Sequence, residues 1–243
     1  VVIADLKDDL GEATRDAIND VHGEGSAIFC HTDVTDSESL SEMVSQTFRA
    51  FGGLDIFVSN AGVLRAGGIH EMNPDAFGLV TKVNYTAFFL CTRAVAPALK
   101  LQHVFNPHHF ADIVQVNSKS GLQGSNRNFA YAGSKFGSIG LVQSFAMELI
   151  EHNVKVNAIC PGNFFEGPLW SDPKTGLFVQ YLNAGKVPGA KTIDDVKKFY
   201  MSKIPMRRGC TPVDVAKAIL YAHDQEYETG QAIPVTGGQV MLS

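Results

Sequence analysis

No run of about 18 apolar residues occurs in the chain, which is the length a membrane-crossing helix needs. No signal-peptide pattern precedes its first apolar stretch either, so a cytoplasmic protein without a membrane partner is expected. Charge of one sign is missing too: 20 Lys and Arg stand against 25 Asp and Glu, a net charge of −5, with no block of like charge. A nucleic-acid footprint is thereby excluded, and a small molecule is the expected partner. Cysteine is scarce and scattered, at Cys30, Cys91, Cys160 and Cys210, without metal-ligand or disulfide spacing. These read as buried thiols in a reducing compartment, and no metal is expected. There is no internal repeat and no low-complexity linker. At 243 residues the expectation is one domain over 1–243, large enough to bury about 70–75% of its unfolded surface.

What the chain does have is an alternation. Apolar runs of strand length fall at 1–5, 26–31, 54–59, 112–117, 154–160 and 232–235. Stretches of helical period lie between them at 8–21, 37–51, 73–101, 129–151 and 212–223. Such alternation predicts an α/β fold, a doubly wound parallel sheet with helices on both faces. The segment 163–208 comes late and is rich in Gly, Pro and Lys, which predicts a mobile insertion over the carboxyl edge of the sheet. Small or polar residues close several strands: Asp5, Asp33, Asn60-Ala61-Gly62, Ser118 and Pro161-Gly162. In a doubly wound sheet these points converge on one crevice. Each alone is an ordinary turn signal.

Tyr131 and Lys135 stand one helical turn apart, on one face, and Ser118 ends the preceding strand. An ammonium beside a phenol favours the phenolate, so a group of ordinary pKa near 10 becomes a usable base. The hydroxyl and the phenol can then face one substrate oxygen, the phenol moving its proton while the serine hydrogen-bonds it. That arrangement suits carbonyl reduction or alcohol oxidation, and the hydride must go to a cofactor because no side chain accepts one.

Ser118, Tyr131-Ala-Gly-Ser-Lys135, Asn60-Ala61-Gly62, Asn84 and Pro161-Gly162 together resemble the motif set of the short-chain dehydrogenase/reductase family over nearly the whole chain. The resemblance implies a Rossmann-type sheet, a homotetramer, and a catalytic set of Asn84, Ser118, Tyr131 and Lys135. It also implies that Asn84 interrupts a helix and holds a water linking Lys135 to solvent. For the cofactor it implies Asp5 with Leu6, Asp33 with Val34, Asn60, Ala61, Gly62, Tyr131, Lys135, Pro161, Gly162 and Phe164. Asp5 favours NAD over NADP, since a carboxylate there accepts from both ribose hydroxyls and repels a 2′-phosphate. Asp33 or Asp36 could equally cap the following helix.

Two departures from the family pattern stand out. The sequence opens inside the apolar run Val1-Val2-Ile3-Ala4, so the family's first strand and its glycine-rich pyrophosphate turn are missing from it. Past Pro161-Gly162, Glu166 occupies the place where the family often has a Thr on the nicotinamide amide, and backbone around Asn163 and Phe164 is expected to serve instead. Several segments, among them Asn117–Gly121 and Val235–Met241, resemble family members that act on polyol phosphates. A phosphate needs cations, and Lys119 and Arg127 flank the catalytic residues, with Lys186, Lys191 and Lys203 in the late insertion as further candidates. The expected substrate contacts are Ser118, Lys119, Arg127 and Asn163. The expected activity is oxidation of a secondary alcohol, on a polyol or sugar phosphate or else on an unphosphorylated polyol. A non-catalytic dinucleotide sensor is the remaining alternative.

Overall fold

The computed structural model describes residues 1–241. Six strands alternate with nine α-helices among the described residues: β1 (Val2–Asp5), α1 (Asp8–His22), β2 (Ile28–His31), α2 (Ser37–Phe51), β3 (Ile56–Ser59), α3 (Pro74–Thr81), α4 (Ala87–Phe105), β4 (Ala111–Val116), α5 (Phe129–Leu149), β5 (Val154–Pro161), α6 (Pro168–Ser171), α7 (Leu177–Asn183), α8 (Ile193–Ser202), α9 (Pro212–Asp224) and β6 (Ala232–Val235). All pairings are parallel, so every strand delivers its last residues to one edge.

Strand side chains alternate between faces, and the core follows that period. Ile113, Val156, Ala158 and Cys160 bury themselves with Leu40 of α2, Val95 and Leu99 of α4 and Val142 of α5. Val114 and Ile159 point the other way, onto Ala222 of α9. The helices therefore cover both faces, as a doubly wound sheet requires. Burying each such Leu, Ile or Val stabilises the fold by roughly 1.5–3 kcal/mol. Lys155, on the α9 face, is fully buried; its ammonium donates to the carbonyls of Ala222, His223 and Gln225 and lies 3.2 Å from Asp112. It thereby satisfies the last carbonyls of α9, which a helix end leaves open.

The sheet is divided. β1 pairs with β2, and a second, four-stranded sheet runs in the order β3-β4-β5-β6. Among the described residues no strand joins β1 to β3, and both line one cavity of about 500 Å³.

Two expectations about the elements are corrected. The stretch 73–101 is not one helix, because a π-helical segment at Lys82–Thr86 separates α3 from α4. The Asn84 carbonyl in it lies 3.2 Å from the Ser138 hydroxyl, whose single proton has a nearer acceptor in the Ser134 carbonyl at 2.7 Å. The segment 163–208 is built rather than loose. It holds α6, α7 and α8 around its own buried cluster of Phe165, Trp170, Phe178, Tyr181 and Val196, with Trp170 5.1 Å from the Phe178 ring centre and 5.2 Å from that of Tyr200. Aromatic contacts of this kind add about 0.5–1.5 kcal/mol each beyond the area they bury.

Candidate active site

β4 carries the chain to Asn117 and Ser118, and a network of hydrogen bonds fixes the strand end against α5. Asn117 Nδ2 donates to Gln115 Oε1 at 2.8 Å and to the Lys135 carbonyl at 3.0 Å, locking the helix in place. Gly121 makes this approach possible, since a Cβ there would sit 2.2 Å from Asn117 Oδ1 and 3.0 Å from the Lys135 carbonyl. Ser118 is extended, with its hydroxyl accepting from the Ser120 amide at 3.1 Å. Tyr131 and Lys135 rise on one face of α5, the Lys135 Nζ 5.7 Å from the Tyr131 ring centre.

The electrostatics differ from the sequence expectation. Burial raises the Tyr131 phenol above its ordinary range, and hydrogen bonding from Ser118 opposes this. Lys135 is buried and its pKa is lowered to about 8, while its ammonium donates to the Val116 carbonyl at 2.8 Å. One of its three N–H donors thus goes to the strand end, and desolvation is the largest influence on the phenol.

Asn84 lies buried in the π segment, and its side chain clamps the backbone just past Asn60-Ala61-Gly62. It accepts from the Val63 amide at 2.8 Å and donates to the Val63 carbonyl at 2.9 Å and to Ser134 Oγ at 3.2 Å. A Cβ on Gly62 would lie 3.5 Å from Asn84 Oδ1 and 3.9 Å from Lys135 Nζ, so the three residues meet at one point. Asn84→Ala strips both Val63 groups of their partner and is expected to cost about 1–3 kcal/mol in chemical denaturation. An unchanged unfolding midpoint would show that the clamp carries no stability.

The predicted residues divide between two cavities. The one beside β1 and β3 gathers Asp5, Leu6, Asp33, Val34, Asn60, Ala61, Gly62, Asn84 and Lys135. Asp5 Oδ1 accepts from the Lys7 amide at 2.9 Å, and its second oxygen makes no hydrogen bond among the described residues. Asp36 is the cap of α2, accepting from the Glu38 amide at 3.0 Å, while Asp33 is held by the Thr35 amide and hydroxyl, which lower its pKa. A carboxylate at a strand end beside apolar Leu6 and Val34 and a close-approach glycine fits the adenosine half of a dinucleotide. Among the described residues Gly62 is the only glycine lining this cavity, so no glycine-rich pyrophosphate turn faces it.

The second cavity, of about 590 Å³, holds Ser118, Lys119, Tyr131, Pro161, Gly162, Asn163 and Phe164, and is walled by Trp170, Tyr181 and Tyr200 of the insertion. Gly162 is needed where β5 meets the chain after β6: a Cβ would lie 3.1 Å from the Thr236 carbonyl and 2.7 Å from Gln239 Oε1. Tyr131 faces this cavity and Lys135 the other, so the pair forms the seam between them.

Arg127 departs from its expected place. It has a left-handed backbone, φ 55°, pairs with Glu71, accepts from the Gly67 amide at 2.9 Å through its carbonyl, and is absent from the cavity lining. Lys191 and Glu166 are exposed and outside both cavities as well. Lys186 and Lys203 do line the second cavity, beside Lys119. Sequence reasoning missed Asn117, Asn128 and the aromatic wall. Asn117 stands directly before Ser118, and the density of aromatics between Phe164 and Tyr200 was the available signal for the wall.

Comparison with known proteins identifies the family of the fold. The family model described as short chain dehydrogenase matches residues 1–169. The chain is similar to sorbitol-6-phosphate 2-dehydrogenase of Escherichia coli strain K12, 33% identical over all of this chain and 89% of the relative. It is also similar to trans-4-hydroxycyclohexanecarboxylate dehydrogenase of Sinomonas cyclohexanicum, 29% identical over 98% of this chain and 82% of the relative. Among solved structures, sorbitol-6-phosphate 2-dehydrogenase from Erwinia amylovora superposes with a TM-score of 0.89 at 33% identity, covering 100% of this chain and 90% of that one. An NAD⁺-bound xylitol dehydrogenase follows at 0.85 and 25% identity, covering 98% and 88%. A family model matched over residues 1–169 and dehydrogenases that match the chain along its whole length place it in the short-chain dehydrogenase family.

Proposed function

We propose that the protein is an NAD-dependent dehydrogenase interconverting a secondary alcohol and a ketone on a polyol or sugar phosphate, with sorbitol 6-phosphate and fructose 6-phosphate as the first pair to try. The carrying observation is the position of Tyr131 and Lys135 between a carboxylate-ended cavity and a lysine-lined one. The first cavity would hold a nicotinamide dinucleotide through Asp5, Leu6, Asp33, Val34 and Asn60 to Gly62, with Pro161, Gly162 and Phe164 toward its reactive end. Bound there, the dinucleotide supplies hydride transfer.

The residues of the chain do the rest. Ser118 and Tyr131 hold the reacting oxygen from two sides, and the phenol gives up or takes its proton. Lys135 at the same seam supplies positive charge while it stays protonated. Asn84 fixes the Asn60 to Val63 segment and, by resemblance, orders a water beside Lys135. The aromatic wall excludes bulk water from the alcohol cavity, which strengthens each of these polar contacts. Exposed apolar side chains on α4 and α5, among them Leu101, Phe105 and Phe136, support a homo-oligomer.

The reading is tested by steady-state turnover with NAD on sorbitol 6-phosphate and on free sorbitol. Higher kcat/KM on the phosphate is expected, and equal values would remove the phosphate from the proposal. A dehydrogenase of unphosphorylated polyols is the second reading, favoured by the superposition with a xylitol dehydrogenase.

A further inference from the structure

We propose that Lys119, Lys186 and Lys203 form a phosphomonoester subsite in the alcohol cavity, and that the two lysines of segment 163–208 set the preference for phosphorylated over neutral polyols. This rests on the polyol or sugar-phosphate reading above and adds to it the residues that choose the substrate.

Positive charge in this cavity is uncompensated. Three lysines line it and, among the described residues, no Asp or Glu does. None of the three takes part in an ion pair among those residues, whereas Arg127, the other cation nearby, is neutralised by Glu71. The lysines feel one another. Burial and then repulsion from Lys203 lower Lys119, and burial followed by Lys119, Lys203 and Arg127 lowers Lys186 to about 8. A fold that gathers like charges around a cavity without a counter-charge is stabilised by an anion that enters it.

Aromatic rings hold two of the ammonium groups in place. Lys186 Nζ lies 3.9 Å from the Tyr181 ring centre and Lys203 Nζ 4.1 Å from that of Phe199. An aromatic face attracts a cation without cancelling its charge, so the lysines remain available to a ligand. A phosphomonoester carries a charge near −2 at neutral pH, which matches such a cluster better than a carboxylate with one charge.

The same cavity offers partners for the rest of the substrate. Asn163 and Asn128 line it, 5% and 4% exposed, and Asn163 Nδ2 and Asn128 Oδ1 have no partner among the described residues. Buried polar atoms are normally paired. One free donor and one free acceptor suit the hydroxyls of a polyol lying between the reacting oxygen at Ser118 and an anion at the lysines.

The test compares oxidation of sorbitol 6-phosphate, free sorbitol and trans-4-hydroxycyclohexanecarboxylate by the wild type, Lys203→Gln and Lys186→Gln, with Lys186→Arg as the charge-preserving control. Each Gln variant should raise KM for the phosphate roughly tenfold with kcat little changed, leave sorbitol unaffected, and weaken competitive inhibition by inorganic phosphate. Lys186→Arg should retain most of the affinity. Lys203 is exposed, so its variant decides the matter if Lys186→Gln does not fold. A wild type that prefers the phosphate while both variants keep its KM would overturn the subsite and leave the proposed function standing. Equal wild-type activity on both polyols would remove the phosphate from the proposed function and the subsite with it. Preference for the carboxylate, lost in the variants, would overturn the phosphate assignment.

Discussion

Replacing Tyr131 with Phe should lower kcat by about 10²–10⁴-fold in both directions while the protein still binds NADH, because a positioned acid or base contributes on this order. The substitution is conservative for packing. Tyr131 is half-buried against the aromatic cluster of the insertion, and Phe keeps the ring while deleting only the hydroxyl. Stopped-flow turnover reads the loss, and NADH fluorescence titration reads the binding. Activity within tenfold of wild type would assign the proton to another group. The pH profile separates the phenol from its neighbour. Burial keeps the Tyr131 phenol protonated through the neutral range, which suits it as the acid of carbonyl reduction. Lys135, lowered to about 8 by burial, carries its charge below that pH and loses it above. Reduction should therefore hold level to about pH 7 and decline above about pH 8, while alcohol oxidation, which needs the phenolate, should gain on the alkaline side. A reduction rate that rises through pH 9 would exclude Lys135 as the charge the reaction uses.

The parts of this site that were legible before the fold was known are those fixed by backbone period and chain order. Tyr131 and Lys135 share a face because α5 is a helix, and Ser118 follows β4 because a buried strand must end where its apolar run ends. The same period placed Asp5, Asn60 and Pro161 at one edge, since parallel strands deliver their carboxyl ends together. What composition could not reveal was which way a long side chain turns. Arg127 has the right charge four residues before Tyr131, yet its backbone adopts φ 55° and the guanidinium finds Glu71, more than fifty residues earlier in the chain. Lys186 and Lys203 seemed no different from Lys191, and only the packing of α7 and α8 around Trp170 carries the first two into the cavity.

Energetic balance was equally hidden. An ammonium one turn from a phenol reads as an acidifying partner, but the sequence does not give the desolvation that both groups undergo or the Val116 carbonyl that holds Lys135. The π segment at Asn84 is a different case, since the family resemblance implied that Asn84 interrupts a helix although the residue pattern did not. A helical period runs through 73–101 without a proline at the break, so the period alone did not show the π segment at Lys82–Thr86.

Exchanging Asp5-Leu6 for Ser-Arg should shift the kcat/KM ratio of NADP over NAD by about 10³-fold, equivalent to about 4 kcal/mol at 1.4 kcal/mol per tenfold. Two effects add. The carboxylate at the end of β1 is the group that would accept from the ribose hydroxyls, and its removal deprives NAD of charge-assisted hydrogen bonds. Its negative charge is also what would repel a 2′-phosphate, and an arginine in the next position replaces repulsion with a bidentate partner. The fold should tolerate the change. β1 is held to β2 through the main chain, with the Thr32 amide donating to the Asp5 carbonyl at 2.9 Å, and Leu6 is exposed. Lys7 is the one other cation lining this cavity outside Lys135 among the described residues, and its amide is turned onto Asp5 Oδ1. Removing the carboxylate frees that amide to face the incoming phosphate. Initial rates at varied NAD and NADP, with one alcohol held saturating, measure the shift. A wild type that already prefers NADP would show that Asp5 does not select the ribose, whatever the double variant does.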